Sequence, residues 1–245
     1  MRRRFRIVGR GRAGGSLAAA LTDVGWSELP ALGRGDNVAS AAAGVDLVVV
    51  AVPDAAIAEV SAAIEPAGST ATTVIAHLAG SLGLAVLEPH PRRAAVHPLV
   101  ALPAPDVGAR RLRDGAWFAV AGDPMAREIV EALGGRAIDL ADEGRAAYHA
   151  AACVASNHLV ALLGQVERLA EKANVPLEAY LDLVASTVDN VAELGPAAAL
   201  TGPAARGDEA TLSRHREVLG TLADADAERA AYDALVELCR RLARS

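Results

Sequence analysis

The 245-residue chain is 52% hydrophobic with a mean hydropathy of +0.26, which excludes a disordered protein and allows one large core or two modest ones. A net charge of −6 and a pI near 5.5 argue against nucleic acid or an acidic membrane surface as the main partner. Two cysteines, Cys153 and Cys239, are too few for a disulfide framework or a zinc cluster, so no metal site is expected and a reducing cytoplasm fits. Lys172 is the only lysine, which all but excludes lysine catalysis.

In chain order, Phe5–Val8 reads as a strand and Ala13–Thr22 as a helix ending before Gly25. Leu29–Leu32 is a weak second strand. Asp46–Val52 is a continuous apolar run, as in a strand buried on both faces of a parallel sheet. The stretch "VDLVVVAV" at 45–52 is the longest strongly apolar run, too short to cross a bilayer. A short helix in "PDAAIAEVSAAI" follows, then strands in "TTVIAHLAG" and "AWFAVAG", a helix in "DPMAREIVEALGG" and a last strand in "RAIDL". This alternation specifies an α/β unit with a doubly wound parallel sheet over 1–142.

Strand signals stop there, and 143–245 reads as an all-α domain. One helical pattern spans Glu143–Lys172, and "NVPLEAYLDLVASTVDNVAELG" starts on Pro176 and exits at Gly195. An irregular "PAAALTGPAARGD" precedes "EATLSRHREVLGTLA", with Asp208 as its expected N-cap. Asp226–Ala243 forms the last helix.

The glycine pattern carries the first functional signal. Gly9, Gly11 and Gly14 have G-x-G-x-x-G spacing directly between a strand and a helix. The first glycine permits a tight turn, the second lets backbone amides approach a pyrophosphate, and the third lets helix pack on strand. The helix N-terminus, at Ala13, then faces the anion. The plainer alternative is a strand–helix turn and nothing more. An acidic residue about 20 positions on would hold an NAD ribose. Here Arg34 occupies that place in "LGRGD", with Asp36 nearby, and Arg10 and Arg12 are further cations. A 2′-phosphate, hence NADP, is the expected cofactor. Val52 and Pro53, ending the buried strand, border the expected cofactor crevice.

Hydride chemistry on a carbonyl or imine also needs a proton carrier, and histidine has the right pKa. His77 ends its strand on the crevice side, and His97 is fixed by Pro98. His149 heads a column of His149, Cys153 and Asn157 at four-residue spacing, on one face of an alanine-rich helix. Such groups are costly to bury unpaired, so the face meets solvent or lines a site. An isolated histidine here would read as a packing residue bonded to a carbonyl; the column with Asn157 makes a site role equally good. His90 and His215 lie in surface-like, arginine-flanked contexts, and His158 points off the column. Cys153 is a poor nucleophile in apolar surroundings. In "LTGPAARGD", Gly202-Pro203 sets a rigid turn and Arg206 is placed to clamp a carboxylate or phosphate.

The glycine loop, "VVVAVPD", "HP" and a helical second domain resemble the superfamily of ketopantoate reductase, pyrroline-5-carboxylate reductase and prephenate dehydrogenase. The set "VGRGRAGGSLA", "HPL", "YHAAACVASNHLVAL" and "LTGPAARGD" more closely resembles a family of Rossmann-like oxidoreductases with a C-terminal helical domain of unknown function. In ketopantoate reductases a lysine opens the long helix, followed by asparagines one and two turns on; His149, Cys153 and Asn157 stand in those places. His97-Pro98 resembles the segment that places a substrate histidine in prephenate dehydrogenases. The resemblance implies a Rossmann-type fold and an NADP-dependent oxidoreductase for a small carboxylate-bearing carbonyl, hydroxy or imino compound. His149 would be the acid/base, Asn157 would orient substrate, His97 would polarise it, and Arg206 and His77 would contact it. A cytoplasmic homodimer is expected by the same analogy. The alternative is a dinucleotide-binding sensor without chemistry.

Overall fold

The computed structural model describes residues 2–66 and 72–244. They divide into two compact units, Met1–Ser156 and Asn157–Ser245, so the helix that begins after residue 142 starts in the first unit.

The first unit contains a seven-stranded sheet. Its strands are β1 (Arg4–Val8), β2 (Ser27–Glu28), β3 (Leu47–Val50), β4 (Val74–His77), β5 (Arg93–Pro98), β6 (Trp117–Gly122) and β7 (Arg136–Asp139), in the order β2-β1-β3-β4-β5-β6-β7. Helices α1 (Arg12–Asp23), α2 (Ile57–Ala62), α3 (Pro105–Leu112) and α4 (Met125–Ala132) accompany it. Strand residues alternate between two cores. Phe5, Ile7, Leu47 and Val49 join Leu17, Leu112 and Ile129 on one face, while Val8, Val48 and Val50 join Ile57, Ile64 and Leu87 on the other. Both faces being covered is why β3 reads as an unbroken apolar run, Leu47–Val50.

The fully parallel sheet expected from the alternation holds for β1 to β5. β6 runs antiparallel to β5, with Pro98 opposite Phe118, so the α3 connection leaves and returns at the same sheet edge. Apolar periodicity carries no strand direction. The second strand also starts earlier than its predicted 29–32. Pro30, which has no N–H to donate, interrupts the ladder, leaving Ser27–Glu28 plus a single bridge between Val8 and Leu32.

A long helical segment follows β7. α5 (Arg145–Cys153) passes through a π-turn at Val154–His158 into α6 (Leu159–Ala173). The Asp142–Ala173 span is 32 residues with mean hydropathy 1.3 in its most apolar window, long and apolar enough by composition to cross a membrane. Tyr148, His149, Ser156, Asn157 and His158 interrupt this span, which is therefore broader and less strongly apolar than the short run at 45–52. The second unit continues with α7 (Leu177–Leu194), α8 (Pro196–Ala199), α9 (Pro203–Arg206), α10 (Glu209–Leu219) and α11 (Ala225–Leu242). Glu228 on α11 is buried and accepts from Gln165 Nε2 and Arg168 Nε on α6, each at 2.6 Å. None of the 18 residues of α7 is buried.

Candidate functional site

β1 and β3 leave the sheet on either side of the point where strand order reverses, the place where open α/β sheets bind ligands. The glycine bend sits there, and its three glycines meet three different constraints. Gly9 has φ +99°, and a Cβ would come within 2.6 Å of Ala51 O. At Gly14 a Cβ would overlap Gly9 O and approach Ala51 Cβ at 2.9 Å. Gly11, the N-cap of α1, has no atom within 4 Å of its Cβ position. Two glycines therefore close the bend against β3 while the middle one faces open space. The first turn of α1, from Arg12 and Ala13, holds no acidic side chain to occupy its amides.

The bend is tied to the segment beyond β2, since Gly9 N–H donates to Leu32 O at 2.8 Å. Two residues on, Arg34 lies exposed in a tight turn. Asp36 closes that turn by accepting from Gly33 N at 2.7 Å, which uses the carboxylate nearest the expected ribose site. Arg12 is exposed, and Arg10 pairs with Glu28 at 2.9 Å. Val52 and Pro53 follow β3, with Val52 Cγ1 3.1 Å from the Cβ position of Gly9. These residues line a surface that fits a phosphorylated dinucleotide.

The same carboxyl edge carries the histidines of β4 and β5. His77 is fully buried; Ala79 N–H donates to its Nδ1 at 3.1 Å, so Nε2–H faces Gly83 O at 3.3 Å. Burial pushes its pKa down to about 4; the Gly83 bond opposes this and the Arg145 charge adds to it. The sequence suggests a substrate contact at His77, but both nitrogens hold the Leu78–Gly83 turn, so its influence passes through that turn. Likewise His90, read as surface-like, is buried and bonds Ser61 O at 2.8 Å.

His97 and His149 do converge. Their ring centroids lie 6.2 Å apart at 75°, and Gly80 sits against both. His97 Nδ1 bonds Tyr148 Oη at 2.7 Å, the two rings edge-to-face at 5.4 Å. Burial first, then the neighbouring His149, lowers the His97 pKa to about 4, so the ring is neutral at pH 7. Burial raises the Tyr148 pKa against the pull of Arg145. His149 lies 3.9 Å from Cys153 Sγ, so the first step of the predicted column is present. The column assumes a regular α-helix throughout, and the π-turn begins immediately after Cys153. Asn157, within it, is exposed and belongs to the second unit. Arg206 is also exposed in the second unit, ending α9 between Gly202 (φ 99°) and Gly207 (φ 72°). Asp208 is the N-cap of α10, accepting from Thr211 N at 3.0 Å.

Sequence reasoning missed Gly80, Tyr148 and Arg145. Arg145 continues the column one turn upstream, at the same four-residue spacing as His149 and Cys153, and Tyr148 adjoins its head. No pattern marks Gly80.

A family model described as a Rossmann-like domain matches residues 27–103, and one described as a domain of unknown function, DUF2520, matches residues 118–238. No curated protein matches the chain. Among solved structures, the chain is similar to a candidate NADP oxidoreductase of Bacteroides fragilis, at 24% identity, TM-score 0.81 and 98% coverage of both chains. It is also similar to a reductive aminase of Aspergillus terreus, solved with NADPH, cyclohexanone and allyl amine, at 18% identity and TM-score 0.67, covering 98% of this chain and 94% of that one. A third is pyrroline carboxylate reductase of Plasmodium falciparum with NADP bound, at 13% identity and TM-score 0.63, covering 98% of each. These likenesses establish a shared fold over the whole chain. In chain order, a Rossmann-like match is thus followed by a match to a domain of unknown function, DUF2520.

Proposed function

We propose that the protein is a cytoplasmic NADP-dependent oxidoreductase acting on a small carboxylate-bearing carbonyl, hydroxy or imino compound. The observation that carries this reading is the shared sheet edge: the open face of Gly11 and the His97–His149 pair both lie at the carboxyl ends of the central strands. The relatives named above with NADPH or NADP bound support the cofactor by analogy.

Gly9, Gly11, Ala13 and Gly14 would hold the pyrophosphate on backbone amides, with Arg34, Arg10 and Arg12 toward the 2′-phosphate and Val52 and Pro53 against the ribose. The nicotinamide cofactor, when bound, supplies or accepts the hydride. With Tyr148 O–H as donor across the 2.7 Å contact to His97 Nδ1, the His97 proton would sit on Nε2. His97 Nε2–H then polarises the substrate oxygen or nitrogen. His149 gives that atom its proton during reduction and takes it back during oxidation.

Two copies pair through α7. Leu183, Val188 and Leu194 on it are 60%, 56% and 59% exposed, an apolar surface unusual for an isolated chain.

Calorimetry with NADPH and NADH, followed by turnover of His149→Ala, tests the reading. NADPH should bind at least about tenfold tighter than NADH, since a 2′-phosphate contact is charge-assisted. His149→Ala should keep that affinity and lose about 10²–10⁴ in kcat. Binding of neither coenzyme removes the redox reading; full turnover without His149 removes its role.

A further inference from the structure

Arg145 opens α5 and is 1% exposed, among the largest fully buried side chains in the protein. A guanidinium stays charged at any ordinary pH, so burial obliges it to find partners. It has one. Nε donates to Asp142 Oδ1 at 2.9 Å, while Nη1 and Nη2, both sealed from solvent, have no hydrogen-bond partner among the described residues.

Two other arginines of this sheet unit behave differently. Arg3 uses Nε and Nη2 on the two oxygens of Glu128, and Arg92 uses the same pair on Asp123, although each arginine is 41% exposed. These two brace with two prongs even at the surface, and Arg10, Arg93, Arg113 and Arg127, which pair through one nitrogen, leave their other N–H groups within reach of water. The far more buried Arg145 engages a single N–H and keeps its terminal fork unused.

Its surroundings belong to the site. The Arg145 charge acts on His77, His97 and Tyr148. The Leu78–Gly83 turn lies against its partner, because a Cβ on Gly83 would overlap the Asp142 carboxylate. Gly80, in the same turn, touches His97 and His149.

We propose that the Nη1/Nη2 fork of Arg145 is the seat for the substrate's carboxylate, received end-on and bidentate as the Leu78–Gly83 turn gives way. The planar spacing of two terminal N–H groups matches a carboxylate's two oxygens. Asp142 already offsets one positive charge, so a monoanion suits the seat better than a phosphate dianion. The proposal rests on the reading of the substrate as a small acid, and it assigns the anchoring cation to Arg145 in the sheet unit.

The test is calorimetry on the full chain with pyruvate and, separately, inorganic phosphate, each with and without NADPH. It compares wild type, Arg145→Met, Arg145→Lys and Arg206→Met. Loss of a bidentate charged contact should weaken pyruvate about 10- to 100-fold in Arg145→Met. Arg145→Lys, which keeps the charge and loses the fork, should weaken it about tenfold or more. Both variants should bind NADPH as wild type does, and Arg145→Met should melt no lower than the parent, its orphaned charge being gone. Arg206→Met should leave pyruvate unaffected. Unaltered pyruvate binding in Arg145→Met overturns the seat, as does a large fall in its melting temperature with pyruvate binding retained, which would mark a brace. No pyruvate uptake by wild type, or a preference for phosphate, also overturns it. Arg145-dependent pyruvate binding without any NADPH binding would leave the seat standing and remove the redox reading.

Discussion

Gly80 separates His97 from His149 by the thickness of a bare backbone. A Cβ there would stand 2.9 Å from both His97 Nε2 and His149 Cδ2, so these two rings approach only because position 80 lacks a side chain. Gly80→Ala therefore acts as a wedge. Overpacking costs about 1–3 kcal/mol, and the rings must move to accommodate it. The expected result is a kcat at least about tenfold lower, since sub-ångström misplacement of a proton carrier is costly, with NADPH affinity unchanged. Steady-state kinetics beside NADPH calorimetry reads both. Full kcat in this variant detaches the histidine pair from the chemistry.

The glycine bend allows a sharper separation of structure from binding. At Gly14 an alanine would strike Gly9 O and Ala51 Cβ, backbone and short side chain that cannot swing away, so Gly14→Ala should lose about 1–3 kcal/mol or more of stability. Gly11→Ala meets nothing within 4 Å, so it should fold within roughly 0.5 kcal/mol of the parent. Its methyl nonetheless projects where a pyrophosphate would approach the amides, and NADPH affinity should fall about tenfold or more. Denaturant melts and calorimetry on the two variants give opposite patterns if the bend holds a dinucleotide. Normal NADPH binding by Gly11→Ala contradicts that.

The sequence carries the sheet unit well because its rules are local. Apolar runs, one glycine spacing and capping residues locate β1, β3, α1 and the bend between them, and Asp208 caps α10 as its type suggests. The reversed β6 escapes because direction depends on how α3 returns the chain, which no residue in β6 announces. In the site, the His149–Cys153 step follows from helical spacing, whereas the π-turn at 154–158 breaks the extrapolation to Asn157. The Gly80 wedge and the Tyr148–His97 bond join residues 17 and 51 positions apart along the chain, the latter a pairing that only the fold creates. Arg145 is the instructive miss: its spacing is visible, but an arginine among many reads as solvated until its burial is known.

The exposed side of α7 makes the proposed pairing testable without any ligand. Leu183 and Val188 are 60% and 56% exposed, and no residue of the helix is buried. Charges placed there cost a lone chain little, within roughly 0.5 kcal/mol, whereas buried between two copies they would be unpaired and expensive. Leu183→Glu with Val188→Glu should shift the protein from dimer to monomer in sedimentation at micromolar concentration. A wild type that sediments as a monomer rejects the pairing outright.

Acid should weaken the fold through its neutral histidines. His77 and His97 have folded-state pKa values of about 4, against roughly 6.5 in the unfolded chain. Above about pH 6.5 neither state holds these protons, and stability does not depend on them. Between about 6.5 and 4 the unfolded chain takes up protons that the fold refuses, so stability falls as pH falls, and below about 4 this loss is complete. For fully buried His77 the loss approaches roughly 3 kcal/mol; for His97, partly open to solvent, it is smaller. Asp123 acts in a lower window: burial pushes its pKa up, but the Arg92 bond and the Met125 amide outweigh this and hold it below the usual carboxylate value. Urea melts at pH 7, 6, 5 and 4.5 should therefore show a stability decline beginning well above carboxylate titration. His77→Gln, a side chain that cannot take up the proton, should start less stable at pH 7 and decline less steeply. Parallel pH profiles for the two proteins would mean that His77 is not held neutral, and the turn it supports beneath Gly80 would need another explanation.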